Sequence, residues 1–295
     1  MGVGVSVDSR SAPSGQGIWR SEIRRLLRNY TAVAGGLCLL IITLACFAAP
    51  LLTAHDPTKI SPANALKGPS IRFPMGTDHF GRDQLTRILY GGRISLRVGL
   101  ISVSIGASFG LLLGSVAGFW GGWVDEIISR FIDVMLAFPG ILLAMAVVAI
   151  LGPSLFNLMI AVGIGTIPGF SRLTRSQMLV ARELDYVVAS RAIGCSNFRI
   201  IVRHILPNIM APIVVYGTLA IASATLASAS LNYLGMGAKP PTPEWGLMLA
   251  ESRDYIRRAW WLATFPGVSI MVTVISLNLF GDGLRDALDP WLKNR

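Results

Sequence analysis

The residues that could carry out chemistry in this sequence are few, and their surroundings argue against catalysis. Residues 106–110 match G-x-S-x-G, the pattern around the nucleophilic serine of many hydrolases. That serine works at a sharp turn between a strand and a helix, with an acid and a histidine as partners. Ser108 instead falls within a long uncharged run, and neither partner is near it in sequence. We therefore expect no nucleophile at Ser108; labelling by a serine-reactive probe would identify a membrane hydrolase instead.

Residues for metal, nucleotide and proton chemistry are also lacking. The three histidines stand alone, without a second ligand at metal-binding spacing: His55, His79 and His204. The sequence holds no G-x-x-x-x-G-K-[ST], the loop that cradles nucleotide phosphates. The long apolar runs hold no ionisable residue near their centres, where proton-driven carriers usually keep one. We expect a chain without catalytic residues, metal or cofactor, whose energy comes from a partner.

The composition is typical of a membrane protein. Of the 295 residues, 53% are hydrophobic and 14% are charged, whereas charged residues make up about 25% of soluble domains. A spanning helix needs about 20 apolar residues. The uncharged runs therefore predict six transmembrane helices, at 29–54, 98–124, 134–151, 155–171, 205–238 and 259–281. Gly152-Pro153-Ser154 divides the third from the fourth, and Pro139 and Pro168 can kink them. We predict an all-α membrane protein.

Six spans place both termini on one side of the membrane. The distribution of Lys and Arg favours the cytosol for that side, and four arginines lie directly before the first span: Arg20, Arg24, Arg25 and Arg28. The net charge of +10 is better explained by topology and anionic lipid than by nucleic acid. Five parts are predicted: a cytosolic basic leader (1–28), the first span (29–54), an external loop with an amphipathic helix (55–93), the membrane core (94–286) and a cytosolic tail (287–295).

One stretch inside the core, residues 171–208, is charged rather than apolar, and we call it the charged segment. Its pattern predicts a helix over 183–193 that Gly194 ends in a left-handed conformation. A second helix is predicted from Asn197 to Leu206, with Pro207 in the first turn of the fifth span. Two short basic helices beneath the membrane would contact a cytosolic partner. The alternative is an ordinary basic loop that fixes topology.

Small residues mark the second and fifth spans. A stripe of glycines, four residues apart, follows one face of the second span: Gly106, Gly110, Gly114 and Gly118. Such a glycine stripe lets another helix approach closely, either as a moving or dimerising contact or as static packing. The fifth span is small and mildly polar, so it either lines a passage or is buried in protein. The candidate lining residues are Ser223, Ala227 and Ser230.

Residues 188–207 resemble the EAA loop, E-A-A-x3-G-x9-I-x-L-P, of ABC importer permeases. Four positions match: Ala189, Gly194, Leu206 and Pro207. Three depart, because Val188, Ser190 and His204 stand where the family has Glu, Ala and Ile. The resemblance implies that this loop is the coupling helix, which sits in a groove of a cytosolic ATPase. The candidate coupling residues are Val188, Ala189, Ser190, Gly194, Leu206 and Pro207.

A second stretch narrows the family. Residues 75–96 are similar to the G-T-D-x-x-G-R-D and G-x-R-x-S-L signature of dipeptide, oligopeptide and nickel permeases, in particular the second of their two permease subunits. Residues 240–246 and 280–290 match that subunit too, including its glutathione-importing branch. The resemblance covers residues 30–291. It implies the type I ABC importer permease fold and a cargo of di- or oligopeptides or glutathione-like peptides.

The resemblance also implies an assembly in the bacterial cytoplasmic (inner) membrane. Its partners would be a homologous permease, two cytosolic ATPases that bind ATP and magnesium, and an external solute-binding protein. Transport would follow alternating access. The alternative is an ATP-independent secondary transporter or channel: uptake by the lone chain would favour it, and co-purification with ATPases would favour the permease.

Two external elements allow two interpretations each. Asp83 can begin a helix whose Leu85, Ile88 and Leu89 share one face. This helix either braces the mouth of the bundle or contacts the solute-binding protein. The loop 235–258 is rich in proline and aromatic residues. The tryptophans in it and directly after it, Trp245, Trp260 and Trp261, either form an interfacial belt or contribute to docking.

Overall fold

The computed structural model describes residues 25–288, so most of the predicted leader and tail, with both termini, lies outside the described residues. Nine helices of eight residues or more occur in this range: α1 Tyr30–Phe47, α2 Gln84–Trp120, α3 Gly122–Ala137, α4 Gly140–Leu151, α5 Leu155–Ala181, α6 Asp185–Ala192, α7 Leu206–Tyr233, α8 Trp245–Ser252 and α9 Trp261–Leu288. Shorter helical pieces lie at Ala49–Leu52, Pro62–Asn64, Asn197–Arg199, Ile200–Ile205 and Arg253–Tyr255. An isolated β-bridge joins Thr77 to Asp83.

Five of the described helices are long and apolar enough to cross a membrane, and α3 with α4 gives a sixth span if the bent pair counts as one. The predicted third span is therefore not a single helix. It consists of the last residues of α3, which begins earlier at Gly122, and of all of α4; the two helices meet at 92° on either side of Pro139. Proline has no N–H to extend α3, and its carbonyl instead accepts the Leu142 amide at the start of α4.

The long helices run between two ends of the bundle. One end, which we call the loop end, consists of residues 53–83 and 234–260. Helix α2 leaves it at Gln84 and is 37 residues long, about 55 Å at 1.5 Å per residue. Helix α9 also starts there, since the Trp261 indole N–H donates to the Thr77 carbonyl at 3.1 Å. At the opposite end, the Asn29 amide donates to Asp286 at 3.2 Å, and the charged segment lies at this same end.

The glycine stripe of α2 packs against α5 within this chain. A Cβ atom added to any of the four glycines would collide with α5 at Thr166, Phe170, Ser171 or Met178. One turn before the stripe, the Ser102 hydroxyl donates to the Met159 carbonyl at 3.0 Å. Because no side chains intervene, the two backbones approach closely. This seam connects the loop end to the charged segment.

Two helices continue where the sequence predicted a boundary. The amphipathic helix expected after Asp83 is the first part of α2, which runs through the boundary expected at residues 93–94. Asp83 begins it as predicted, because its carboxylate accepts the Thr86 amide at 2.9 Å. Residues 84–120 contain no proline, so nothing in the backbone removes a hydrogen bond from α2 at the expected boundary.

The second short helix of the charged segment is likewise not separate. It continues without interruption from Asn197 to Tyr233. Pro207 lies in the first turn of α7 as predicted, but a π-helical stretch, Ile200–Ile205, precedes it. In a regular α-helix the proline ring would collide with the carbonyl four residues earlier. The wider π turn relieves that collision, so the helix passes through the proline.

Candidate functional site

The charged segment contains one short helix and a left-handed corner. The helix predicted over 183–193 is present as α6. It ends at Gly194, whose φ of +81° is the left-handed conformation that the sequence predicted. The Cys195 amide donates to the Ser190 carbonyl at 3.1 Å and closes the helix end. Because a β-branched side chain is strained at this φ, the geometry of the corner depends on residue 194.

Two arginines fasten the charged segment to the end of α2. One Nη of Arg182 donates to the Gly118 carbonyl at 2.9 Å. The Arg191 guanidinium lies 5.3 Å from the centre of the Phe119 ring, within the range of a cation–π interaction. Gly118 is also the last member of the glycine stripe. A displacement of α6 therefore reaches α2 where it packs against α5.

The outer surface of the charged segment carries large apolar side chains among its charged ones. Val188 is 55% exposed, Phe198 76% and Ile193 81%. Neighbouring exposed apolar side chains are typical of a contact surface. The predicted contact residues do not include Ile193 and Phe198, because the prediction was based on the charged residues of the segment. Two large apolar residues on either side of the Gly194 corner are the sequence feature that could have identified them.

The six candidate coupling residues fall into two groups. Four are exposed: Val188, Ala189, Gly194 and Pro207. Ser190 is buried, and its hydroxyl donates to the Tyr186 carbonyl at 2.7 Å. Leu206 is half-buried and packs against the core of the bundle. Ser190 and Leu206 therefore stabilise the segment from within, and only the exposed group is available to a partner.

Helix α3 is held to α5 mainly by charges. Arg175 forms a bidentate ion pair with Asp125, with N–O distances of 2.5 and 2.6 Å. Arg172 forms an ion pair with Asp133 at 2.7 Å. Ile132 is the only buried residue of α3. A cleft of about 370 Å³ lies between the two helices, lined by both arginines. This helix has the weakest apolar attachment of the long described helices.

Two of the three candidate lining residues share a groove. Ser223 and Ala227 of α7 face α4 and α5 across a space of about 180 Å³. Its other walls are small or apolar residues such as Gly140 and Thr166. Ser230 is not among the lining residues, and its hydroxyl donates to the Leu226 carbonyl at 2.9 Å within α7.

The loop end contains a buried network of four charges. Arg82 contacts Asp78 at 2.5 Å and Glu251 at 3.3 Å. Arg87 contacts Glu251 at 2.8 Å and Asp78 at 3.5 Å. Both guanidinium groups are 1% exposed, so each depends on these carboxylates to offset its loss of water. The network joins the 75–83 signature to α8. Glu251 was missed in the sequence because it is about 170 residues from Arg82.

A second set of buried hydrogen bonds at the loop end connects α2 to the start of α8. The buried carboxylate of Glu244 accepts the Ser95 hydroxyl at 2.9 Å and the Leu247 amide at 2.8 Å. The Trp245 indole donates to the Ile88 carbonyl at 2.9 Å. Burial raises the pKa of Glu244, and the hydrogen bonds from Leu247, Gly246 and Ser95 only partly oppose the shift. The 75–96 and 240–246 signatures therefore contact each other, which supports bracing as one role of the helix after Asp83.

Comparison with known proteins identifies the family. Residues 110–294 match the family described as the binding-protein-dependent transport system inner membrane component. This match covers more than half of the chain. The chain belongs to this family of ABC importer permeases. Residues 17–69 also match the N-terminal transmembrane domain of oligopeptide transport permease C.

Curated relatives of this permease are similar over nearly their whole length. The dipeptide transport system permease protein DppC of Alkalihalophilus pseudofirmus is 49% identical over 276 residues, covering 94% of this chain and 91% of the relative. The glutathione transport system permease protein GsiD of Pectobacterium atrosepticum is 46% identical over 277 residues, covering 94% and 92%. The permease is thus a subunit of an ABC importer and resides in the membrane.

A solved structure supports the fold. The inward-facing MetNI methionine ABC transporter superposes with a TM-score of 0.56 at 19% identity, covering 68% of this permease and 96% of that chain. At this identity the likeness concerns the fold alone. The predicted type I ABC importer permease fold is therefore confirmed.

Proposed function

We propose that this permease forms half of a translocation pathway for di- or oligopeptides or glutathione-like peptides, together with a homologous permease. The named functions of the relatives, dipeptide and glutathione transport, support this cargo. The groove between α4, α5 and α7, lined by Ser223 and Ala227, is our candidate for part of the pathway. Its small residues leave room for a peptide backbone to pass.

The charged segment is proposed as the coupling element. ATP and magnesium would bind to two partner ATPases, and this chain would supply neither catalytic residue nor cofactor. One observation carries the proposal: α6 contacts the end of α2 through Arg191, and Arg182 at the end of α5 contacts it beside α6, whereas Val188, Ile193 and Phe198 are exposed. A partner that grips the exposed side and moves would therefore displace α2 and α5, and rock the bundle between two states.

The coupling role requires one orientation of the permease in the membrane. The charged segment and both termini would lie in the cytosol, and the loop end would lie outside the bacterial inner membrane, where a solute-binding protein delivers cargo. Cys195 is half-buried in the segment. An impermeant thiol reagent should leave it unlabelled on intact cells and label it after the cells are permeabilised. Labelling on intact cells would reverse the orientation and remove the coupling role.

Replacement of Gly194 tests coupling. Gly194→Val strains the corner and should separate ATPase activity, which stays measurable, from uptake, which should fall at least about tenfold for about 1.4 kcal/mol of lost coupling. Gly235 offers a matched control, since its φ is +79° and, as at Gly194, no atom lies within 4 Å of an added Cβ. Gly235→Val carries similar strain at the loop end and should keep uptake coupled.

The measurement uses proteoliposomes that contain the complete transporter, with the binding protein and a labelled dipeptide. Uptake that is undiminished in Gly194→Val would contradict the coupling role. Uptake by this chain alone would instead favour a secondary transporter or channel. Competition between the labelled dipeptide, glutathione and a non-peptide solute tests the proposed cargo, and competition only by the last would reject it.

A further inference from the structure

A cleft of about 360 Å³ opens at the loop end, close to where the first span finishes. Its walls come from residues within 54–64, 72–73 and 81–83, and its volume lies in the range of sites for small ligands. Helix α1 leads through the short helix Ala49–Leu52 directly to the first wall residue, Ala54. Among the five described helices long enough to span, α1 is the least buried, with 17% of its apolar window buried against 33–44% in the others. The cleft therefore adjoins a span whose side chains face acyl chains.

Exposed apolar side chains lie next to the two bases of the cleft. Ile60 follows Lys59 in the chain and is 58% exposed, and Ile71 precedes Arg72 and is fully exposed. Leu51, just before the cleft, is 89% exposed. Basic side chains beside exposed apolar ones are typical of a membrane interface, where the apolar part enters the lipid and the charge meets the headgroups.

The bases of the cleft are available to an anion. Lys59 and Arg72 are both exposed, and within residues 25–288 neither side chain forms an ion pair or a hydrogen bond. The Arg72 guanidinium lies 5.5 Å from the centre of the buried Phe73 ring, and the His55 ring lies 5.9 Å from the same centre. Phe73 thus holds Arg72 at the cleft. Arginine and lysine together are the usual protein partners of a phosphate group.

The cleft also contains two carboxylates with unused acceptor atoms. Asp83 is buried, and its Oδ2 accepts both the amide and the hydroxyl of Thr86. Its Oδ1 is buried and has no hydrogen-bond partner within residues 25–288, which is costly unless a donor is supplied. The exposed Asp56 uses its Oδ1 for the Thr58 amide and hydroxyl, at 2.7 and 2.6 Å. A primary ammonium group suits both carboxylates, because it is positively charged and carries several N–H donors.

We propose that this cleft binds the headgroup of a phospholipid that carries both a phosphate and a primary ammonium group, as phosphatidylethanolamine does. The phosphate contacts Lys59 and Arg72, the ammonium group contacts Asp56 and Asp83, and the acyl chains lie beside Ile71 and α1. The bound lipid then holds the end of α1 to the loop end. A zwitterionic peptide carries similar charges, but the apolar side chains beside the cleft favour a lipid. The inference is independent of the proposed cargo and coupling role, since it needs only that the loop end lies at a membrane surface.

The test adds phospholipids to the complete transporter after it has been purified in detergent and depleted of lipid. Three lipids with the same acyl chains are compared, with ethanolamine, choline and glycerol headgroups. The readout is the reaction of Cys46 with a maleimide, located by mass spectrometry, because this thiol is buried at the end of α1. Ethanolamine lipid should protect Cys46 at a half-maximal concentration about tenfold lower than choline lipid does, since the quaternary ammonium of choline has no N–H to donate.

Variants assign the effect to the cleft. K59E/R72E should raise the half-maximal concentration of ethanolamine lipid about tenfold or more, and K59Q/R72Q should shift it less in the same direction, which guards against misfolding of the double reversal. R257E/R258E is the matched control, because it reverses two exposed arginines of the loop end that do not line the cleft; it should leave that concentration unchanged. D56N keeps an oxygen for Thr58 but removes the charge, so it should reduce the preference for ethanolamine over choline lipid without weakening the glycerol lipid.

Four outcomes would overturn the proposal. Equal protection by ethanolamine and choline lipids would show that the cleft does not recognise the headgroup. Equal effects of K59E/R72E and R257E/R258E would assign the shift to the overall charge of the loop end. Tighter binding of the glycerol lipid than of the ethanolamine lipid would indicate a site for anionic lipid without an ammonium contact. Displacement of the ethanolamine lipid by a soluble dipeptide would make the cleft a site for soluble zwitterions instead.

Discussion

The two ends of this permease use their charges in opposite ways. At the loop end, Arg82 and Arg87 are buried with Asp78 and Glu251, so charged groups hold segments of the same chain together. At the far end of the charged segment, Arg182 and Arg191 contact the end of α2, and Val188, Ile193 and Phe198 are exposed. The buried ion pairs of the loop end are completed within the chain, whereas no such buried network holds the exposed part of the charged segment among the described residues. The comparison indicates a rigid end and an end shaped to be moved by a partner.

The charged side chains of the network at the loop end are buried, so the stability of the protein depends on each of them keeping its partner. A buried ion pair adds little stability over an apolar pair of the same shape, but removal of one partner leaves an uncompensated charge. The charged segment has no comparable network. Its ion pairs, such as Arg175 with Asp125, are partly exposed, and the turn after α6 depends on the backbone corner at Gly194. Substitutions at the two ends should therefore have different effects on stability.

The largest expected effect is at the loop end. Arg87→Ala leaves Glu251 and Asp78 without one of their two guanidinium partners and should destabilise the detergent-solubilised protein by about 3–5 kcal/mol. Phe198→Ala, at the exposed side of the charged segment, should change stability by less than about 0.5 kcal/mol. Thermal unfolding of both variants measures the difference. Equal destabilisation would remove the contrast between a rigid end and an open one.

A smaller effect is expected where the ends are connected. Gly110→Ala forces a Cβ into Phe170 of α5 and should destabilise the protein by about 1–3 kcal/mol. Gly110→Leu adds a larger side chain and should lower the free energy of unfolding further. Gly165→Ala is the matched control on α5, because the nearest atom to its added Cβ is 3.9 Å away. Unchanged assembly and thermal stability in Gly110→Leu would show that the glycine stripe does not hold α2 to α5.

The smallest effect concerns pH at the loop end. Burial lowers the pKa of His79 below its ordinary value of 6.5, against the pull of Asp78 and Glu251. The folded protein therefore favours neutral His79, and this contribution is present above pH 6.5 and lost as the pH falls below it. We expect His79→Asn to reduce the loss of thermal stability between about pH 7.5 and 5.5, by less than about 1 kcal/mol.

A slope of stability against pH that is the same in His79→Asn as in the native protein would mean that other groups of the loop end cause the pH dependence.

Local features were predictable because they need only neighbouring residues. The corner at Gly194 follows from one glycine after a helical stretch, and the helix start at Asp83 follows from one capping carboxylate. The spans follow from uncharged length. The break between α3 and α4 was only partly predictable: Pro139 indicates a kink, but a bend of 92° depends on how both halves pack.

Features that join distant residues were not predictable. Ser190 belongs to the EAA-like loop, yet it is buried, because the side of α6 that faces the bundle is decided by its contacts with other helices. Glu251 has no local signal of its partnership with Arg87. The groove of Ser223 and Ala227 excludes Ser230 because α4 and α5 cover only part of α7.

The sequence by itself determined the membrane class, the lengths of the spans and the family resemblance, since hydrophobicity, caps and motif spacing act through the local chain. The tertiary structure decided which charges are buried and which remain exposed. That choice depends on the balance between lost hydration and a partner supplied from elsewhere in the chain. It buries Arg82 and most acids of the loop end, leaves the lysines and other arginines of that end exposed, and leaves Val188, Ile193 and Phe198 of the charged segment exposed.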